Sequence, residues 1–279
     1  SSAVTANSWN FVVLNSDTAV SLNNPEIGRA NDTDYFTGNL DSIRIHDYVR
    51  TPSQISWEYN KGAPIAWYRF DECQDSVAHN ASNTQTGGNK DATINIGTDG
   101  TQILAGSCSV PNTAWGNGSS GFLNSSINLD GHDDYVVTGN VFLVAENGQT
   151  YSSVSWGGWI NPQSINSKTI LEKGNEFRLV TNSSGIPSCE IYTGSSWSGT
   201  STSGVLAPST GNWTHLLCVY NGETLKMYVN GKLATSQPKT SSITSSSSTP
   251  LFLGRNSSGN GFLGGKLDRR AEAYFSGTF

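Results

Sequence analysis

Charge is scarce in this chain, and positive charge is scarcest. Asp, Glu, Lys and Arg make up 14% of its 279 residues, with 16 basic against 22 acidic side chains and a formal net charge of −6. No basic cluster is there to track a phosphate backbone, which argues against nucleic acid as a partner. No apolar run approaches the length needed to span a bilayer. Ser1-Ser2-Ala3-Val4-Thr5 has neither the charged start nor the apolar core of a signal peptide, and we expect the chain to be a fragment of a longer protein. No glycine-rich run sits between a strand and a helix, so no phosphate cradle is implied. Ser, Thr, Asn and Gly are plentiful instead, which suits an extracellular β-sandwich with a hydroxyl- and amide-rich surface. The length allows one large β domain, or one domain plus a piece of another.

Four cysteines allow three pairings. Cys73 and Cys108 flank one Gly/Asn-rich loop region. A bridge between them would close an otherwise loose segment and implies an oxidising, exported location. Cys189 and Cys218 sit in two apolar strand patterns. They read either as a second disulfide or as two buried thiols on neighbouring strands.

Short alternating segments dominate the rest. Strands are expected at about 65–70, 91–96, 122–129, 134–138, 151–161, 168–173, 176–181, 187–193, 213–220, 224–230 and 250–254. Turns such as Asn182-Ser183-Ser184-Gly185, Asn221-Gly222 and Asn230-Gly231 separate them. This spacing predicts an all-β, antiparallel two-sheet sandwich. One short linking helix is expected near 51–60, with Thr51 as cap, Pro52 at its first position and Gly62 at its end. The serine-rich stretch 241–249 reads as a mobile loop.

Three stretches carry a family signature. They are Leu129-Asp130-Gly131-His132-Asp133-Asp134-Tyr135-Val136-Val137, then Gly211-Asn212-Trp213-Thr214-His215 with Leu225–Lys232, then Phe262-Leu263-Gly264-Gly265-Lys266-Leu267-Asp268. In this order they resemble the laminin-G-like jelly rolls of the concanavalin A-like lectin/glucanase superfamily, in the form repeated in large bacterial surface proteins. The resemblance covers about residues 63–268. Residues 1–60 look like the truncated tail of a preceding repeat: Trp9–Leu14 matches Trp213–Cys218, and Phe36–Asp41 matches Phe262–Asp268. Residues 61–279 form the main domain. After Asp268 the family expects a closing strand, but Arg269-Arg270-Ala271-Glu272-Ala273 makes a poor one. The alternating segment Ile43–Val49 is expected to close the main sheet beside 65–70, either within the chain or by strand exchange with a neighbouring repeat or chain.

The resemblance implies a structural calcium held by Asp71, Asn89 and Asp268, with Asp41 as the equivalent in the N-terminal copy. The family loop usually reads Asp-Ser-Ser-Gly-Asn-Gly-Asn; here Asn80–Asn89 is longer and has lost one carboxylate. Asp130, Asp133 and Asp134 form a denser acidic turn that either ligates a cation or caps a hairpin. For glycan recognition, aromatic rings stack on sugar faces. Trp197 is the first choice, followed by Trp156, Trp115 and Tyr192, which fall at strand ends or in loops. Trp67, Trp159 and Trp213 sit in strand patterns and read as core. Catalysis is not expected: the superfamily's glucanases need two carboxylates on one strand, and Glu172-Lys173-Gly174-Asn175-Glu176 has the wrong spacing. The expected function is a non-catalytic, calcium-stabilised carbohydrate-binding or adhesive module at the cell surface, with a glycan or a surface protein as partner. The alternatives are a structural spacer repeat or a glycoside hydrolase.

Overall fold

The computed structural model describes residues 6–16, 18, 25–30, 34–50, 55, 58, 64–82, 91–138, 148–246 and 249–268, with the backbone of 274 and 275. Its strands in chain order are β1 (Arg29–Ala30), β2 (Asp34–Tyr35), β3 (Val77–Ala78), β4 (Ala92–Asn95), β5 (Ile127–Asp130), β6 (Tyr135–Thr138), β7 (Thr150–Tyr151), β8 (Val154–Ser164), β9 (Thr169–Lys173), β10 (Phe177–Thr181), β11 (Pro187–Tyr192), β12 (Trp197–Gly199), β13 (Thr214–Tyr220), β14 (Thr224–Val229), β15 (Lys232–Pro238), β16 (Ile243–Thr244), β17 (Leu251–Leu253), β18 (Gly264–Asp268) and β19 (Tyr274–Phe275). Eight of them form one antiparallel sheet, ordered β12-β11-β10-β9-β17-β6-β4-β3. Seven form a second, ordered β15-β14-β13-β8-β18-β5 with β19 also against β8. The expected two-sheet sandwich is what the chain forms.

Period-two alternation decides which side chains meet between the sheets. On β13, Leu216, Cys218 and Tyr220 point inward and are fully or almost fully buried. On β10, Phe177 and Leu179 do the same from the other sheet. The Trp156 ring of β8 lies 4.9 Å from that of Phe177, across the interior. Cys189 of β11 and Cys218 of β13 are both buried and joined, so a disulfide fastens one sheet to the other. We expect the Cys189→Ala/Cys218→Ala variant to lose about 3 kcal/mol of unfolding free energy, because the unfolded chain regains the entropy of an open loop. Chemical denaturation at matched redox conditions measures this, and an unchanged midpoint would contradict it.

The second disulfide, Cys73–Cys108, ties the loop after the first segment of the domain to the loop before α1 (Ala114–Asn117). Thr113 caps this short helix by accepting the Gly116 N–H at 3.0 Å. Trp115 is fully buried, and its indole N–H donates to the Asp75 carbonyl at 2.7 Å.

Several expectations need correction. Residues 65–70 alternate as a strand should, with Ala66, Tyr68 and Phe70 buried, but among the described residues their only bridge is Tyr68 with Asn80. Residues 42–49 form no strand and no ladder to 65–70; Ile43 and Ile45 are 50% and 65% exposed. The place beside β8 beyond β18 is instead taken by the chain's own β19, where Tyr274 pairs with Ser155 and Phe275 with Val154. The helix expected over 51–60 lies largely outside the described residues, of which Ile55 and Glu58 are helical. The serine-rich stretch is partly fastened: β16 pairs with β7, and Ser245 and Ile243 are buried.

Candidate functional site

The outward face of the eight-stranded sheet carries a row of charged side chains. Register sets Glu190 opposite Arg178, Arg178 opposite Glu172 and Glu172 opposite Phe252, so these side chains share a face. A bulge shifts the register between Leu179 and Val180 and re-aims the strand there. Over this stretch lies an open groove of about 660 Å³. Arg178, Val180, Ser188 and Glu190 come to it from β10 and β11, and the turns at Ser167–Lys168, Asn182, Thr200–Thr202 and Asn256–Gly261 border it.

Arg178 organises the groove. Its Nε and Nη2 reach Glu190 Oε2 at 2.7 and 2.6 Å, and its Nη1 lies 3.7 Å from Glu172 Oε2. The guanidinium sits 4.1 Å from the centroid of the Trp197 ring, an arrangement that holds both planes in place. Tyr192 meets Trp197 edge-on at 5.4 Å, as their direct pairing across β11 and β12 requires. Glu172 is nearly buried, and its Oε1 accepts both the backbone N–H and the hydroxyl of Ser257. The groove therefore offers hydrogen-bonding groups along its length, and Arg178 links it to the Trp197 indole, which stands next to the lining residues.

Of the other aromatic candidates, Trp156 and Trp115 have no exposed surface. They are core residues and have no face to offer a sugar. Trp159 and Trp213, expected in the core, are partly exposed on the outward face of the seven-stranded sheet. Strand parity was the available signal. Trp159 stands an odd number of residues from Trp156 on one strand, and Trp213 an odd number from buried Cys218, so each pair must face opposite ways.

The acidic candidates are mostly fasteners. Asp130 Oδ2 accepts the Thr101 N–H at 2.9 Å, and Asp133 Oδ2 accepts those of Thr98 and Asp99 at 2.8 and 3.0 Å. The acidic turn thus clamps loop 97–102, which supports its hairpin-capping role; its three carboxylates do cluster within 4.8 Å of one another. The structure brings Asp71 and Asp268 to one loop: Asn124 Nδ2 donates to Asp71 at 3.5 Å, and the Leu123 N–H donates to Asp268 Oδ2 at 2.8 Å. Asn89 lies outside the described residues. Asp41 is exposed, with the adjacent Ser42 hydroxyl at 3.1 Å, and no bond joins it to that loop. Asp91 is occupied by His79 Nδ1 and the Asn80 N–H, both at 2.8 Å, and this contact raises the His79 pKa.

A laminin-G family model, described as the concanavalin A-like lectin/glucanases superfamily, matches residues 130–271, just over half of the chain. The chain belongs to this superfamily. No curated protein matches its sequence. Among solved structures, this concanavalin A-like chain is similar to domain 4 of AbnA, an extracellular arabinanase from Geobacillus stearothermophilus, in complex with arabinotriose. The identity is 18%, the match covers 77% of this chain and 95% of that one, and the TM-score is 0.52. The binding domain of botulinum neurotoxin serotype D/C is similar at 14% identity and a TM-score of 0.50, covering 78% of this chain; this chain spans about half of that domain, 49%. At these identities the likeness is one of fold.

Proposed function

We propose that the chain is a non-catalytic carbohydrate-binding module of an exported protein, with its glycan lying in the groove across the eight-stranded sheet. The observation that carries this reading is the Arg178-centred groove with Trp197 held beside it: stacking surface beside a row of hydrogen-bonding groups is what a polyhydroxylated ligand requires. The arabinotriose complex of the similar arabinanase domain supports it. A hydrolytic reading fares worse, because glycoside hydrolysis uses two carboxylates and Glu172 has both oxygens directed at Ser257 and Arg178. The two disulfides suit an oxidising compartment outside the cytosol. Calcium is part of the proposal: Asp71 and Asp268, brought to one loop, are hard oxygen donors of the kind calcium takes, with Asn89 as the third residue.

Affinity electrophoresis through arabinan, xylan, glucan and galactan gels, with and without chelator, tests the reading. Retardation is expected on at least one polysaccharide, and Trp197→Ala is expected to weaken it by about tenfold. Loss of retardation on chelation would support the calcium. No retardation in any gel would favour a spacer repeat.

A further inference from the structure

The seven-stranded sheet turns a second surface outward that the groove does not explain. Strands β8 and β13 pair so that His215 lies directly opposite Trp159, and both rings face away from the core with centroids 5.2 Å apart. Phe122 stacks on Trp159 at 3.5 Å with planes 14° from parallel, and Trp213 meets Phe122 edge-on at 6.4 Å. Phe122 is itself 41% exposed. These rings lie outside the interior between the sheets, whose packing does not need them. A cluster of large aromatic side chains left on an outer face marks an interaction site.

Trp159, Trp213 and His215 border an open cavity of about 580 Å³, with Asn230 and Gly231 completing it. That volume is in the range of small-molecule sites. The Asn230 carboxamide is held by its Oδ1, which accepts the His215 backbone N–H at 2.9 Å, and its Nδ2 can donate to a ligand. Gly231 leaves open space above it, since a Cβ there would meet no atom within 4 Å. Among the described residues, no carboxylate, lysine or arginine lines the cavity. The occupant is therefore uncharged, with apolar faces for the rings and hydroxyls for the amide and imidazole. A protein partner would need about 800 Å² of complementary surface, far more than these few side chains present.

We propose that this surface is a second glycan site, taking a neutral pyranose ring against the Trp159–Phe122–Trp213 cluster with Asn230 and His215 hydrogen-bonding its hydroxyls. It lies on the sheet opposite the groove and does not depend on the groove being occupied.

The test is calorimetric titration of the whole chain with cellotriose, xylotriose and mannotriose, paired with NMR of the tryptophan indole N–H signals. With at least one trisaccharide, the Trp159 and Trp213 signals are expected to shift. Its affinity should fall by about tenfold in Trp213→Leu and in Asn230→Ala, and by the same factor when those changes are made in a Trp197→Ala background. Unaltered thermal unfolding of the two variants separates this from misfolding. Binding weakened only by Trp197→Ala would overturn the second site and leave the groove standing. Binding weakened only at the second site would do the reverse. No binding of any trisaccharide would overturn the second site, while retardation by a longer polysaccharide would still support the groove.

Discussion

Replacing Glu176 by Ala is expected to lower the unfolding free energy by about 3–5 kcal/mol, through loss of one half of a buried ion pair. Lys173 ends β9 and Glu176 closes the turn into β10, and both side chains are completely buried. Their contact is 2.8 Å. Lys173 Nζ also donates to the carbonyls of Ser246 and Thr249, at 2.8 and 2.6 Å. Glu176 accepts the Tyr151 hydroxyl at 2.8 Å and the Ser246 N–H at 3.1 Å. Gly174 makes room: a Cβ there would lie 2.3 Å from the Thr249 hydroxyl. Burial pushes the Lys173 pKa down against the pull of Glu176, so the ammonium is a cost that the pair offsets. Removing Glu176 leaves that cost uncompensated and takes one acceptor from the buried Tyr151 hydroxyl. Lys173→Met should be similarly damaging. The double variant Lys173→Met/Glu176→Leu should lose less than the sum of the two, because neither charge is then stranded. Urea unfolding measures all three, and a loss under about 1 kcal/mol for Glu176→Ala would show that the network carries little.

The same network shows where sequence reading stops. Glu172-Lys173-Gly174-Asn175-Glu176 was legible as a non-catalytic run with a turn in it, but its partners lie some 70 residues away in the Ser-rich stretch, where low complexity suggested mobility. Nothing local in Ser246 or Thr249 announces a buried lysine. Strands with one buried face were legible because their periodicity is two: 134–138, 176–181, 187–193 and 213–220 are close to β6, β10, β11 and β13. Lys232–Pro238 escaped notice because β15 is an edge strand with no fully buried residue, so Lys-Leu-Ala-Thr-Ser-Gln-Pro carries no alternation. Ile43–Val49 fails in the opposite sense. Its alternation is clean, but a pattern reports what a segment can bury, and among the described residues no strand pairs with it.

The candidate sites were less legible than the fold, for one geometric reason. Side chains on one strand change face with every residue, so a misjudged parity exchanges core for surface. The sequence puts Trp156 at a strand end and Trp159 in the core, and the fold exchanges them. Arg178 and Glu190, which organise the groove, gave no signal as single charged residues in strands. Only their register across β10 and β11 sets them together. Trp197 stands out in the sequence because it follows the apolar run of β11 and a Gly/Ser-rich turn; the structure sets it at the start of β12, against Arg178.

Replacing Asp134 by Ala is expected to cost about 4 kcal/mol, since each buried donor left unsatisfied costs about 1–3 kcal/mol. Asp134 is fully buried. It accepts the Gly97 N–H at 3.1 Å, the Asp130 N–H at 3.0 Å and the Gln102 amide at 2.7 Å. Gln102, also fully buried, donates again to the Asn128 carbonyl and accepts from Asn117 of α1 at 2.9 Å. The carboxylate thus joins the β5–β6 hairpin, loop 97–102 and the short helix. Gly97 and Gly100 permit the approach, since a Cβ at either would fall about 2 Å from the Asp133 or Asp130 carboxylate. The pH dependence checks the electrostatics separately. Burial raises the Asp134 pKa, more than its hydrogen bonds lower it. The folded state then holds this proton more tightly than the unfolded chain, whose carboxyl titrates near about 3.9. The stability this group contributes is complete below that value and is lost as pH rises through the folded pKa. Asp134→Asn cannot titrate there. The margin of the wild type over Asp134→Asn should therefore be widest in acid and narrow toward neutral pH. A margin that widens toward neutral pH would mean the three donors outweigh burial, and that the ionised carboxylate is the form the fold prefers.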